Sequence, residues 1–251
     1  MKITLIGSGN VATILGRLII QSNHSIVQVI SRNKLNAKEL ADELGAAYTD
    51  FTEPVNDSSD LIILSISDSS IEHLFANIIQ NDKLVVHTAG SVSKDVLGRY
   101  SKNFGVLYPL QSLRKEMETI PPIPFLVDGS SDEVTETIEK FAHTLSQNVT
   151  RANDEKRLKI HAAAVIVSNF TNYLYAIAED FCNKEKIDFN ILKPLILETA
   201  HRIENASPMS VQTGPAVRKD IQTMDKHLKL FNNYPKLKTT YLRLTDSIMN
   251  P

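Results

Sequence analysis

"ITLIGSGNVATILG", residues 3–16, carries the reading of this chain's fold. Apolar residues run into Gly7, a second glycine follows at position 9, and a small residue, Ala12, comes three places later. Gly-x-Gly-x-x-Ala is the spacing of a dinucleotide phosphate-binding turn. Gly7 permits the tight turn, Gly9 lets a pyrophosphate approach the backbone, and Ala12 lets the next helix lie close on the strand. That helix offers unpaired N–H groups and a positive dipole end to the phosphates. Gly7, Ser8, Gly9, Asn10 and Val11 are therefore the candidate phosphate-contacting residues. A glycine-punctuated corner with no ligand is the competing reading, and the neighbouring segments have to decide between them.

Outward from this turn the first half alternates strand-like and helix-like segments. Residues 2–7 and 24–31 read as strands around a helix over 10–22, and "NAKELADELG" (36–45) has helical spacing closed by Gly45. "DLIILSIS" (60–67) is the near-continuous apolar run of a parallel strand buried on both faces. A helix over 69–79, strands over 83–90, 103–110 and 124–129, and a helix over 132–146 continue the pattern. This alternation predicts a doubly wound α/β fold with a mostly parallel sheet and right-handed crossovers. From Asp154 onward the pattern is helical only, with helices expected over 155–182, 188–204, 216–231 and 234–249 and breaks at Pro194, Pro208, Pro215 and Pro235. The expected division is a dinucleotide-binding domain over 1–153 and an all-α domain over 154–251.

A net charge of −2 gives no electrostatic case for nucleic acid or an anionic membrane, and no apolar run is long enough to span a bilayer. The lone Cys182 excludes an internal disulfide and suits a reducing cytoplasm. No His/Cys/carboxylate cluster has metal-ligand spacing, and no serine-centred nucleophile elbow is found. Neither metal nor covalent catalysis is expected.

The second strand identifies the cofactor. A fold that takes NAD usually ends this strand on a carboxylate that bonds the ribose hydroxyls. Here it ends in Ser31-Arg32-Asn33, a hydroxyl and a guanidinium suited to a 2′-phosphate, with Lys34 and Lys38 close by. NADP is the expected cofactor; a solvated loop role for Arg32 is the alternative. The missing carboxylate also argues against an S-adenosylmethionine methyltransferase. Ligands of open α/β sheets bind beyond the carboxyl ends of the strands. That rule brings in the backbone of Ile66, Ser67, Ala89 and Gly90 against the cofactor, and Ser91 and Gln111 as polar groups for a substrate. Asp68 is expected to cap the following helix.

Taken together, "GSGNVA", the Ser-Arg pair after the second strand, "HTAGS", "YPLQS", "HAAAVIVSNFTNYL" and "TGPAVRKD" resemble the Rossmann-like proteins that carry a DUF2520 domain. Those proteins are related to pyrroline-5-carboxylate reductases and to the wider 6-phosphogluconate dehydrogenase-like oxidoreductases. The resemblance covers nearly the whole chain. It implies an NADP-binding first domain, a helical second domain and a homodimer assembled through the helical part. Tyr108 stands where the relatives carry His before "PLQ", a departure that removes an imidazole from that position.

On the long helix, His161, Ser168 and Asn172 are spaced i, i+7, i+11, which at ~100° per residue leaves them within about 20° of one face. A polar stripe in the apolar "AAAVIV" setting needs partners, from a ligand or from a neighbouring helix. Related reductases turn this helix toward the nicotinamide, so His161, Ser168 and Asn172 are the candidate catalytic residues, with a helix-satisfied histidine as the alternative. Asp220, Thr223 and His227 share a second face behind Arg218. Arg218 either holds a substrate carboxylate or pairs with Asp220 in the dimer. Tyr234-x-x-x-Lys238 imitates a short-chain dehydrogenase pair but lies in the helical tail. The Lys-x-x-x-Asn of β-hydroxyacid dehydrogenases is missing, because Lys159 is followed by Ala163. The expectation is an NADP-dependent oxidoreductase of a small C=O or C=N compound held in the interdomain cleft. The alternative is a non-catalytic NADP(H)-binding or redox-sensing protein.

Overall fold

The computed structural model describes residues 1–71 and 83–251. Its chain divides into two compact units, Met1–Ile166 and Val167–Pro251.

The first unit is built on one sheet. Strands β1 (Lys2–Ile6), β2 (Ser25–Ile30), β3 (Ala47–Thr49), β4 (Leu61–Leu64), β5 (Leu84–His87), β6 (Phe104–Pro109), β7 (Phe125–Gly129) and β8 (Val149–Arg151) lie in the order β3-β2-β1-β4-β5-β6-β7-β8. All neighbours pair parallel except β6 and β7, which run antiparallel. The order reverses between β1 and β4, which makes that junction the topological switch point.

The apolar run at 61–64 becomes the centre of the sheet because both its faces are covered. Leu61 and Ile63 join a cluster with Ile3, Leu5 and Val86, while Ile62 and Leu64 join one with Ile6, Ile30 and Val85. Each such side chain, taken fully out of water, contributes about 1.5–3 kcal/mol. Helices α1 (Asn10–Gln21) and α2 (Lys34–Leu44) bury Ile14, Leu15, Ile19, Leu40 and Leu44 in the first cluster. As expected, α2 closes on Gly45, whose φ of 67° is left-handed. Its start is fixed by Asn33, whose side chain accepts from the Leu35 and Asn36 amides.

The short α3 (Asp68–Ile71) opens the helix expected over 69–79, and the rest of that expectation lies outside the described residues. A 3-10 turn over Lys94–Arg99, α4 (Asp132–Leu145) and α5 (Asp154–Ala164) complete the unit. Strands β3 and β8 were not expected. Each has three residues, too few to display a period of two, and each is held by the neighbour it pairs with.

The second unit is helical, with no strand among its described residues. The single helix expected over 155–182 is interrupted: a π-helical segment, Val165–Phe170, separates α5 from α6 (Thr171–Lys184). Then follow α7 (Lys193–Arg202), α8 (Ile221–Leu230) and α9 (Pro235–Met249). Pro194 and Pro235 sit in the first turns of α7 and α9, so they start helices rather than break them. Helix α8 begins five residues later than expected because Asp220 is its cap, accepting from the Thr223 amide. Phe181 meets Phe231 and Tyr234 edge-on at 5.4 and 5.1 Å between centroids, and His227 bonds the Tyr241 hydroxyl at 2.9 Å. Among the described residues no helix is long and apolar enough to cross a membrane.

His87, the last residue of β5, is wholly buried, and burial followed by the nearby Arg157 cation lowers its pKa to about 4. Unfolding therefore takes up a proton between pH 6.5 and 4, so His87 favours the fold above that window and opposes it as pH falls through it. Near pH 4.5 its contribution is a loss of about 2–3 kcal/mol relative to neutrality. Urea unfolding at the two pH values should show His87→Asn losing less stability than the wild type by about that amount. Equal losses would contradict a neutral buried His87.

Candidate functional site

The site lies along the carboxyl edge of β1, β2, β4, β5 and β6. At its base Gly7 adopts φ 123°, and a Cβ there would stand 2.1 Å from the Ser65 carbonyl oxygen at the end of β4. Only glycine fits between these two strand ends. Gly9 is different: its φ of −88° suits any residue, and a Cβ added there would meet nothing within 4 Å. Neither conformation nor protein packing asks for glycine at that position. The open space above it is where the backbone of a phosphate-binding turn must stay bare. No side chain caps α1, which leaves its first N–H groups available, and Ala12 is wholly buried under them.

A groove of about 690 Å³ runs from this turn over Ser31, Arg32, Asn33 and Asn36 on one side and Ser65, Ile66, Ser67 and Ser70 on the other. Ser8 donates to the Ser31 hydroxyl at 2.8 Å, tying the glycine turn to the end of β2. Arg32 is exposed and, among the described residues, has no ion-pair partner. Lys38 is engaged instead by Asp42 at 2.7 Å. None of the groove's described lining residues is acidic. These features fit a dinucleotide bearing an extra phosphate on its adenosine ribose: a bare turn, an open helix start and an uncommitted guanidinium.

Farther along the edge the structure joins residues that are distant in sequence. Gly90, just after β5, is buried, and a Cβ there would stand 2.5 Å from Nδ1 of His161. That imidazole, on α5, is bonded through Nδ1 to the Tyr108 hydroxyl at 2.8 Å, the two rings meeting edge to face with centroids 5.7 Å apart. His161 is half-buried, and its documented partner belongs to the sheet edge rather than to another helix. Burial, with the Asp68 carboxylate adding to it, pushes the Tyr108 phenol up, while Arg157 opposes them. At neutral pH the Tyr108 phenol is thus uncharged, and it donates to Nδ1 or accepts from it according to the imidazole tautomer. Sequence reading passed over Tyr108 because it departs from the relatives' histidine. The signal that could have found it is sheet order, since β5 and β6 are adjacent parallel strands and carry Gly90 and Tyr108 to the same edge of the sheet.

The other expected residues are placed as follows. Asp68 is not a cap but the first residue of α3, and its carboxylate accepts from Ser91 at 2.6 Å. Gln111 bonds within its own loop, to the Pro122 carbonyl and the Ser112 amide. Ser168 lies in the π-helical segment and Asn172 in the first turn of α6. The shared face of His161, Ser168 and Asn172 assumed uniform α-helical steps, and the π turns between them break that count. In the second unit Arg218 is exposed. Asp220, held below the usual carboxylate range by the Thr223 amide and hydroxyl with a smaller push from Arg218, is engaged as a helix cap.

A doubly wound sheet with a glycine turn at its switch point and a helical region after it defines a Rossmann-type, NADP oxidoreductase-like protein. The chain belongs to the family described as a domain of unknown function, DUF2520, which matches residues 123–248. Residues 2–90 match a second family, described as NADP oxidoreductase coenzyme F420-dependent. A crystal structure of a Bacteroides fragilis protein, provisionally named NADP oxidoreductase BF3122, shares 37% identity over 100% of this chain and 98% of its own, with a TM-score of 0.93. A pyrroline-5-carboxylate reductase from Streptococcus pyogenes shares 15% identity over 100% and 99% of the two chains, with a TM-score of 0.66. An Aspergillus terreus reductive aminase, solved with NADPH and ethyl-5-oxohexanoate, shares 15% over 98% and 94%, with a TM-score of 0.65. These last two likenesses speak to the fold. No curated protein matches the chain.

Gly90→Ala tests the packing that seats the imidazole. The added methyl must push the His161 ring aside, at a cost of about 1–3 kcal/mol in thermal unfolding. A crystal structure of the variant should show Tyr108 without its imidazole partner. An unmoved ring would contradict the geometry.

Proposed function

We propose that this protein is an NADPH-dependent reductase of a small carbonyl or imine compound. The observation that carries the reading is the Tyr108–His161 pair lying over Gly90 on the same sheet edge as the bare Gly7–Gly9 turn. Gly7, Ser8, Gly9, Asn10 and Val11 hold the pyrophosphate, Ser31 and Arg32 the 2′-phosphate, and the backbone of Ile66, Ser67, Ala89 and Gly90 the remainder of the cofactor. When bound, the nicotinamide supplies a hydride. Tyr108, kept protonated by burial, donates to Nδ1 of His161 and so fixes the imidazole proton on Nε2. Through that N–H, His161 donates a hydrogen bond to the substrate oxygen or nitrogen as negative charge develops on it, and water supplies the proton that completes the reduction. Ser91 and Gln111, at the same sheet edge, meet the substrate's other polar groups.

The reading includes a homodimer through the helical part, in a reducing cytoplasm that keeps Cys182 a free thiol. Val167, Phe170 and Tyr173 are 72%, 60% and 56% exposed, an apolar surface that a single copy leaves in water. Light scattering at micromolar concentration should give twice the chain mass; a monomer would contradict this.

Two measurements test the chemistry. Wild-type protein should bind NADPH about ten- to a hundredfold more tightly than NADH, and Arg32→Ala should erase most of that preference. Equal wild-type affinities would overturn the cofactor assignment. On a panel of small ketones, aldehydes and cyclic imines, His161→Asn should lower kcat by about 10²–10⁴. Tyr108→Phe should cost on the order of tenfold, the worth of one orienting hydrogen bond. NADPH binding without turnover of any compound would replace the enzyme by a cofactor-binding protein.

A further inference from the structure

One turn before His161 on α5 lies Arg157, 1% exposed and among the largest fully buried side chains of the described residues. Its Nη2 donates to the Val92 carbonyl and, at 2.8 Å, to Asp154. Asp154 in turn accepts from the Ser93 hydroxyl at 2.5 Å and from the Lys94 amide at 3.3 Å. These bonds hold the first turn of α5 against the segment that leaves β5, the same segment that carries Gly90. Partial burial pushes the Asp154 carboxyl up, and the bonds from Ser93, Arg157 and the Lys94 amide together outweigh it and hold the group below its usual range.

As a stabilising device this arrangement is poor. A buried guanidinium is costly, and Nε and Nη1 of Arg157 have no hydrogen-bond partner among the described residues. An apolar side chain of the same size would pack there at lower cost. What the guanidinium does, and an apolar chain cannot, is fix where α5 sits along the β5 exit, because its Nη2 must meet one carbonyl and one carboxylate at the same time. His161, one turn on, inherits that register.

We infer that Arg157 is a positioning residue: with Asp154 and Ser93 it sets the register of α5 so that the His161 ring lies over Gly90 within bonding distance of Tyr108. The functional consequence rests on the reading of His161 as the proton-holding group, and Arg157 itself touches neither substrate nor cofactor. A helix displaced by about an ångström at a reacting group costs on the order of 10² in rate, so a small slip of α5 suffices to matter.

The test reads the imidazole directly. The ¹⁵N resonances of the His161 ring, identified by their loss in His161→Asn, report its bond to Tyr108, and Tyr108→Phe gives their position without that bond. In Arg157→Met they should move toward the Tyr108→Phe position, and in Arg157→Lys they should return part of the way. Turnover should fall by about 10²-fold in Arg157→Met while the KM for NADPH stays within about threefold. Should Arg157→Met fail to fold, Asp154→Ala and Ser93→Ala loosen the same clamp from its more exposed end and should move the resonances in the same direction. A folded Arg157→Met or Asp154→Ala protein with wild-type ring resonances would overturn the inference. Resonances that move in a protein without any reductase activity would uphold the positioning role and reject the reductase reading instead.

Discussion

Everything at this sheet edge depends on how closely Gly7 approaches the Ser65 carbonyl. Strand β1 can turn directly into α1 only because no Cβ intervenes where β4 ends beside it. That contact sits where the strand order reverses, so the turn opens onto the crevice left by helices departing in opposite directions. The Gly7 amide also donates to the Ile30 carbonyl, and Ser8 reaches Ser31, so the ends of β1, β2 and β4 are fixed together. The start of α1 and the Arg32 side chain thereby come to line one groove.

A second tight spot lies at Gly90. The bare backbone after β5 lets an imidazole from α5 lie against it, and β6 brings Tyr108 within bonding distance of the ring. Two glycines just past strands of one sheet, Gly7 and Gly90, thus bound the two ends of the proposed reaction site. Charge around the pair is divided: Asp68 and Arg157 push the Tyr108 phenol in opposite directions, and burial decides in favour of the protonated form.

The sheet was largely legible because its strands are long enough to show their pattern. β1, β2, β4, β5, β6 and β7 all fall inside the expected segments, and Gly45 closes α2 where its residue type says it should. The three-residue β3 and β8 escaped because their pairing, not their composition, makes them strands. The glycine turn and the Ser31-Arg32 pair were readable as local motifs. The Tyr108–His161 bond was not, since it joins residues 53 apart that only tertiary structure brings together. Nor was the π-helical segment visible, because "VIVSNF" has no residue that forbids ordinary α-helical steps. Arg157 gave no signal either: an arginine early in a helix reads as a solvated side chain until its burial is seen.

In the proposed reductase, one sheet edge holds the cofactor and presents His161 to its reactive ring, and a crystal structure of the protein with NADPH decides whether it does. The pyrophosphate should lie over Gly9, the 2′-phosphate on Arg32, and the nicotinamide against Gly90 with the Tyr108–His161 pair beside the face that meets substrate. A nicotinamide lying away from Gly90 and out of reach of His161, or phosphates bound elsewhere than the Gly7–Gly9 turn, would contradict it.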